Sequence, residues 1–206
     1  MSTLDKNIIV GPPLPKKEGG LNKSPITSPP LFIPGRYFLG ILQKSIKMGN
    51  IYRCSIKGKP ALYLLPEQDC YFCSAGIEGL TSLFLTPPKD IEIKLLSGEA
   101  LKKQIGGLKT KDLNDLLWYA TITASQGRLM AHYYLEDNVY LHSWPDISMV
   151  SANRSYLIIA SFMNKHTVSL VRIAEETQQK LSDVIDFHNG CYSLGLMAEP
   201  LHLNKW

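Results

Sequence analysis

The sequence predicts an α+β chain: a small antiparallel-sheet domain followed by a helical module, behind a proline-rich leader. Three observations predict it. Short runs rich in β-branched and aromatic residues, "IYRCSI", "ALYLLP" and "CYFCSA", follow one another with only turn residues between them, as in a meander. From Asn153 to Met197 the pattern changes to apolar residues at helical spacing. The first 34 residues hold seven of the thirteen prolines and little periodic apolar content, so they bury too little surface to offset their ordering entropy. These shifts divide the chain into a disordered Pro/Gly/Lys-rich tail at 1–34, an α+β interaction domain at 35–150 and a helical module at 151–206.

In chain order, Tyr37, Phe38, Ile41, Leu42 and Ile46 mark an amphipathic helix that Gly49-Asn50 ends. The three strand runs come next, separated by Lys57-Gly58-Lys59-Pro60 and by Glu67-Gln68-Asp69. A short helix over 77–84, a break at Pro87-Pro88 and an alternating strand "IEIKLL" follow. Ser97 is the expected cap of a helix running to Gln104, and Gly106-Gly107 stops it. Thr110 is expected to cap a stronger helix that buries Leu113, Leu116, Leu117 and Ala120. Gly127 turns the chain, and "NVYLHSW" reads as a strand. In the last module Asn153, Ser169 and Ser182 are the expected caps of three helices. Val184, Phe187, Cys191 and Leu194 form the inward stripe of the third, and Gly195 ends it before Leu196-Met197 starts a short strand.

The run "SLVRIAEETQQKLSDVIDFHNGCYSLGLM", residues 169–197, resembles the second helix, turn and third helix of the winged-helix family, including its Leu-Gly-Leu passage into the wing. The resemblance implies a C-terminal winged-helix-like module, whether it is used on protein or on DNA. A three-helix bundle without a nucleic-acid role fits the same residues. If the third helix read DNA, Asp183, Asp186, His188, Asn189 and Tyr192 would face outward, and the candidate nucleic-acid contacts are Lys180, His188, Asn189 and Tyr192. Charge weighs against that use, because residues 153–206 carry five basic and five acidic side chains and so no surplus for phosphates. A second pattern, Leu113-x-x-Leu116-Leu117, Ser125-Gln126-Gly127-Arg128-Leu129 and Val139-x-Leu141-x-x-Trp144-Pro145, resembles small α/β sensor or interaction domains of bacterial signalling proteins. That resemblance implies a non-catalytic domain relaying a contact.

The chain shows little catalytic machinery. Cys70-Tyr71-Phe72-Cys73 has metal-ligand spacing, but in a regular strand residues i and i+3 point to opposite faces, so reduced, buried cysteines and no cofactor or metal are expected. His188 and Cys191 lie three apart on one predicted helix, yet Cys191 belongs to the apolar stripe. No glycine-rich phosphate loop, His-Glu-x-x-His or Gly-x-Ser-x-Gly is present. No apolar run approaches the ~20 residues of a membrane span, and the proline-broken start lacks a signal-peptide core, so a cytoplasmic protein is expected.

Charge distribution is the feature that departs most from a neutral surface. Arg36, Lys44, Lys47, Arg53, Lys57 and Lys59 fall in a stretch with no Asp or Glu, and the net charge is +8 up to Lys59 against −4 beyond it. Such polarity steers toward anionic partners. The expected function is therefore that of a regulatory or adaptor protein docking an anionic protein surface through these six residues, with DNA-binding regulation as the alternative.

Overall fold

The computed structural model describes residues 31–150 and 153–197, and the expected tail lies outside them up to residue 30. The α+β expectation holds: the described residues form a five-stranded antiparallel sheet, a two-stranded ribbon and eight α-helices. The meander is there in the expected order. Helix α1 (Phe38–Met48) ends on Gly49 in the left-handed conformation (φ 66°), which a residue without a Cβ adopts without strain. Strands β1 (Tyr52–Ser55), β2 (Leu62–Leu65) and β3 (Cys70–Phe72) follow. Helix α2 (Thr81–Leu85) leads to β4 (Glu92–Leu95), which returns to pair with β1. Helix α3 (Gly98–Gln104) is capped by Ser97, whose hydroxyl accepts from the Ala100 amide. Strand β5 (Thr110–Asp112) closes the far edge, giving the order β4-β1-β2-β3-β5.

The register sorts side chains between two cores. Cross-strand partners share a face, so Cys54, Leu62, Leu64 and Tyr71 fall together and pack with Phe38, Leu39 and Leu42 of α1 and Leu116 of α4 (Leu113–Ser125). On the other face Tyr63, Leu65, Cys70 and Phe72 enclose Leu101 of α3. The sheet is thus covered on both sides over β2 and β3, and α4 is buried almost all round, as a helix between two packed layers must be.

Beyond α4, strand β6 (Asn138–Val139) and the short helix α5 (Ile147–Val150) lead to α6 (Arg154–Met163), β7 (Val168–Ser169), α7 (Leu170–Thr177) and α8 (Leu181–Ser193). The Asn153 and Ser169 caps form as expected, accepting from the Ser155 and Arg172 amides. The core is continuous across residue 150: Trp118 of α4 meets Tyr156 of α6 and Phe187 of α8 edge-on, with ring centroids 5.9 and 5.8 Å apart. Gly190 makes this approach close, since a Cβ there would lie 2.5 Å from the Trp118 ring.

Several expectations need correction. Leu31–Pro34 belong to the folded chain rather than the tail: Phe32 is fully buried, donates its amide to the Leu129 carbonyl at 2.7 Å, and accepts from the Ala131 amide. Thr110 does not cap α4, because it pairs with Phe72 in the sheet; the Asp112 carboxylate accepts from the Asn114 amide instead. Helix α8 begins at Leu181, with Lys180 at the cap position and Ser182 inside the first turn. Of "NVYLHSW" only Asn138–Val139 pairs as a strand, with β7, while Leu141 bridges Met197.

Candidate protein-docking site

The six predicted partner-binding residues do not converge on one point. Arg36 closes a 3₁₀ turn before α1, Lys44 and Lys47 are exposed along α1, and Lys57 and Lys59 are exposed in the β1–β2 turn. Arg53 points to the opposite sheet face from Cys54 and is already engaged, donating to Ser55 Oγ at 3.1 Å and meeting Glu92 Oε2 at 3.4 Å. Glu92 also accepts from Ser55 Oγ and pairs with Lys94 Nζ at 2.8 Å, and these contacts, Lys94 foremost, lower its pKa to about 2. The free positive charge is therefore concentrated on α1 and the hairpin turn.

Of the six, Lys44 lines a groove. The groove between α1 and the β1–β4 edge, about 350 Å³, is lined by Gly35, Gly40, Ile41, Lys44, Tyr52, Pro88 and Ile93. Its walls are apolar and its single charge is the Lys44 ammonium. Around it the surface carries unusual apolar exposure: Met48 is 56 % exposed, Ile93 42 % and Leu95 65 %. The charge is legible in the sequence, and this apolar companion is not. Alternation in "IEIKLL" suggested a strand with one buried face, whereas all four residues of β4 are exposed.

A larger, shallower groove of about 630 Å³ lies over α6 and α7, lined in part by Arg154, Ile158, Phe162, Lys165 and Glu176. It carries both signs of charge. Glu176 is itself held by Arg172, one turn earlier on α7.

The candidate nucleic-acid contacts are not presented as a reading face. Lys180 is exposed, but His188 and Asn189 are wholly buried, and Tyr192 packs edge-on against Tyr133. The reason is that α8 is enclosed on more than its apolar stripe: α4 covers one side and the 128–133 segment another. Asn189 serves that segment as a side-chain bracket, accepting from the Met130 amide at 3.2 Å and donating to the Arg128 carbonyl at 2.8 Å. Asp186, also expected outward, accepts from Ser125 Oγ and the Gly127 amide and so closes the turn after α4. Arg128 completes this polar framework, donating to the Ser125 and Ala124 carbonyls and to Tyr37 Oη, with its guanidinium over the Phe32 and Tyr37 rings. In the sequence such residues look like solvent-facing side chains because their partners are distant in the chain.

All four cysteines are free and buried, and Cys70 and Cys73 lie in different cores, as strand geometry requires. Among the described residues no three His, Cys, Asp or Glu side chains are grouped as metal ligands, and no helix is long and apolar enough to cross a membrane. His188 and Cys191 are both enclosed; burial pushes the thiol well up and the imidazole down to about 4.

Buried His188 carries a prediction for stability. Its folded pKa lies below the 6.5 of an exposed histidine, so between the two values the unfolded chain binds more protons. The contribution of neutral His188 is complete above about pH 6.5 and is lost as pH falls toward about 4. Thermal melts across that range are expected to show a falling melting temperature, and His188→Phe is expected to flatten the fall while keeping the ring contact with Tyr133.

No protein-family model, curated protein or solved structure matches this chain.

Proposed function

We propose that this chain is a non-catalytic regulatory or adaptor protein that works by protein-protein contact, with the basic segment docking an anionic partner surface. The observation that carries the reading is the placement of Lys44 and Lys47, exposed on α1 without acidic neighbours in that segment, beside an apolar groove that Lys44 lines. Long exposed lysines around an apolar patch give electrostatic steering together with surface worth burying. A bacterial-type signalling role, implied by the sequence resemblances, and the cytoplasmic location expected from the sequence belong to the same proposal. The order α6, β7, α7, α8 and then the Met197 bridge supports treating the C-terminal quarter as winged-helix-like. Its short strand β7 pairs with β6, before the module. The enclosure of His188 and Asn189 favours protein contact over DNA reading.

Affinity capture with the wild-type chain and with a Lys44→Glu, Lys47→Glu double variant tests the reading. The wild type is expected to retain partners whose capture weakens with salt, and the double variant to lose at least tenfold of that capture with its melting temperature almost unchanged. Capture that survives the reversal for every partner, or sequence-specific binding of duplex DNA at physiological salt, would overturn it.

A further inference from the structure

The sheet has one edge whose capacity to pair is unspent. Strand β4 pairs with β1 on one side only, and among the described residues no strand pairs with its other side. Leu96, just beyond β4, donates its amide to the Ile51 carbonyl, which sets the alternation of the ladder. Residues 92 and 94 then direct their backbone groups toward β1, and Ile93 and Leu95 direct theirs outward. The same two residues carry exposed apolar side chains. An edge with outward amides, exposed alternate apolar side chains and only the charges of Glu92 and Lys94, which satisfy each other, is a template for another strand.

Side-chain direction ties this edge to the groove. Ile93 shares a face with Cys54, and Leu95 with Tyr52, which is the face covered by α1. A strand added outside β4 would turn every second side chain to that face, over the groove formed by Ile41, Lys44, Tyr52, Pro88 and Ile93. Apolar side chains suit its walls. A carboxylate suits Lys44, and exposed Lys47 on the same helix extends the preference for negative charge.

We propose that the outer edge of β4 and the adjoining α1 groove take up an acidic, extended peptide of another protein as a sixth strand. This rests on the adaptor reading and gives its partner a chemistry: about four to six residues in β conformation, with both a carboxylate and apolar side chains on the face turned to the groove. A second copy of the chain is the less suitable occupant, because pairing β4 with itself would bring two basic segments together.

Fluorescence anisotropy with a labelled eight-residue peptide of alternating glutamate pairs and valine pairs, which sets both side chains on each face, tests the proposal on the full chain, against the same peptide with lysine in place of glutamate. The glutamate peptide is expected to bind, to weaken with salt, and to outcompete the lysine peptide at least tenfold. Leu95→Pro removes an outward amide that makes no ladder bond, so the chain is expected to keep its melting temperature within a few degrees and lose at least tenfold in peptide affinity. Leu95→Asp, at a 65 % exposed position, is expected to do the same without altering the backbone. Undiminished binding to both variants, equal binding of the lysine peptide, or a wild-type dimer in size-exclusion chromatography that Leu95→Asp dissolves would overturn the strand proposal. Partner capture lost on Lys44 and Lys47 reversal but kept in Leu95→Asp would leave the adaptor reading standing without it.

Discussion

Phe187→Ala is expected to destabilise the whole chain by about 3–5 kcal/mol, measured as a shift in the urea midpoint at unchanged slope. The ring is fully buried, with centroids 5.8 Å from Trp118 and 5.6 Å from Tyr156, so truncation removes its transfer free energy and leaves a cavity between three helices. Because α4 belongs to the sheet's inner layer and α8 to the C-terminal helices, one cooperative transition is expected for both parts. Two separated transitions, with only one moved by the substitution, would show that the aromatic contact does not couple them. The neighbouring Asp186→Ala is expected to cost about 1–3 kcal/mol, since it strips the Ser125 hydroxyl and Gly127 amide of their acceptor.

Trp118→Ala is the second large loss, again about 3–5 kcal/mol, because Trp118 is a large fully buried side chain at the centre of the same cluster. Its tight fit over Gly190 adds a sharper test. Gly190→Ala in the wild type is expected to cost about 1–3 kcal/mol, despite alanine's better helix propensity, because the new Cβ meets a rigid indole at 2.5 Å. In the Trp118→Ala background that penalty is expected to vanish, leaving the propensity gain. Urea denaturation of the four chains reads this coupling directly, and additive losses would mean that the indole does not lie over Gly190.

The elements most legible in the sequence are those whose signals are local. Gly49, Ser97, Asn153 and Ser169 end or cap helices through neighbours within a few residues, and each does so at the expected place. The failures arise where distant pairing decides. Thr110 has a cap's chemistry, but β3 recruits it into the sheet and passes the cap to Asp112. His188 and Asn189 lie off the apolar stripe of α8 and so read as exposed, yet segment 128–133, far away in sequence, covers them and satisfies Asn189. Phe32, a single aromatic among prolines, gives no periodic signal, and its burial depends on the strand-like contact with Leu129 and Ala131.

The candidate site divides in the same way. Its charge is composition and was visible; its groove is a product of topology. Only the return of β4 to pair beside β1, leaving α1 on one face and an open edge on the other side, sets Lys44 next to Ile93 and Leu95. None of the three announces a docking role alone. Together they supply what an extended acidic partner needs: outward backbone groups, apolar surface and one fixed positive charge.

Amide hydrogen exchange followed residue by residue by NMR, with and without the peptide of paired glutamates and valines, tests this claim most directly. In the free chain Ile93 and Leu95 are expected to exchange faster than Lys94, whose amide faces β1. With peptide bound, Ile93 and Leu95 are expected to become protected at least tenfold while Lys94 changes little. Protection that leaves Ile93 and Leu95 as they were and appears instead over α6 and α7, or nowhere, would contradict strand addition at β4.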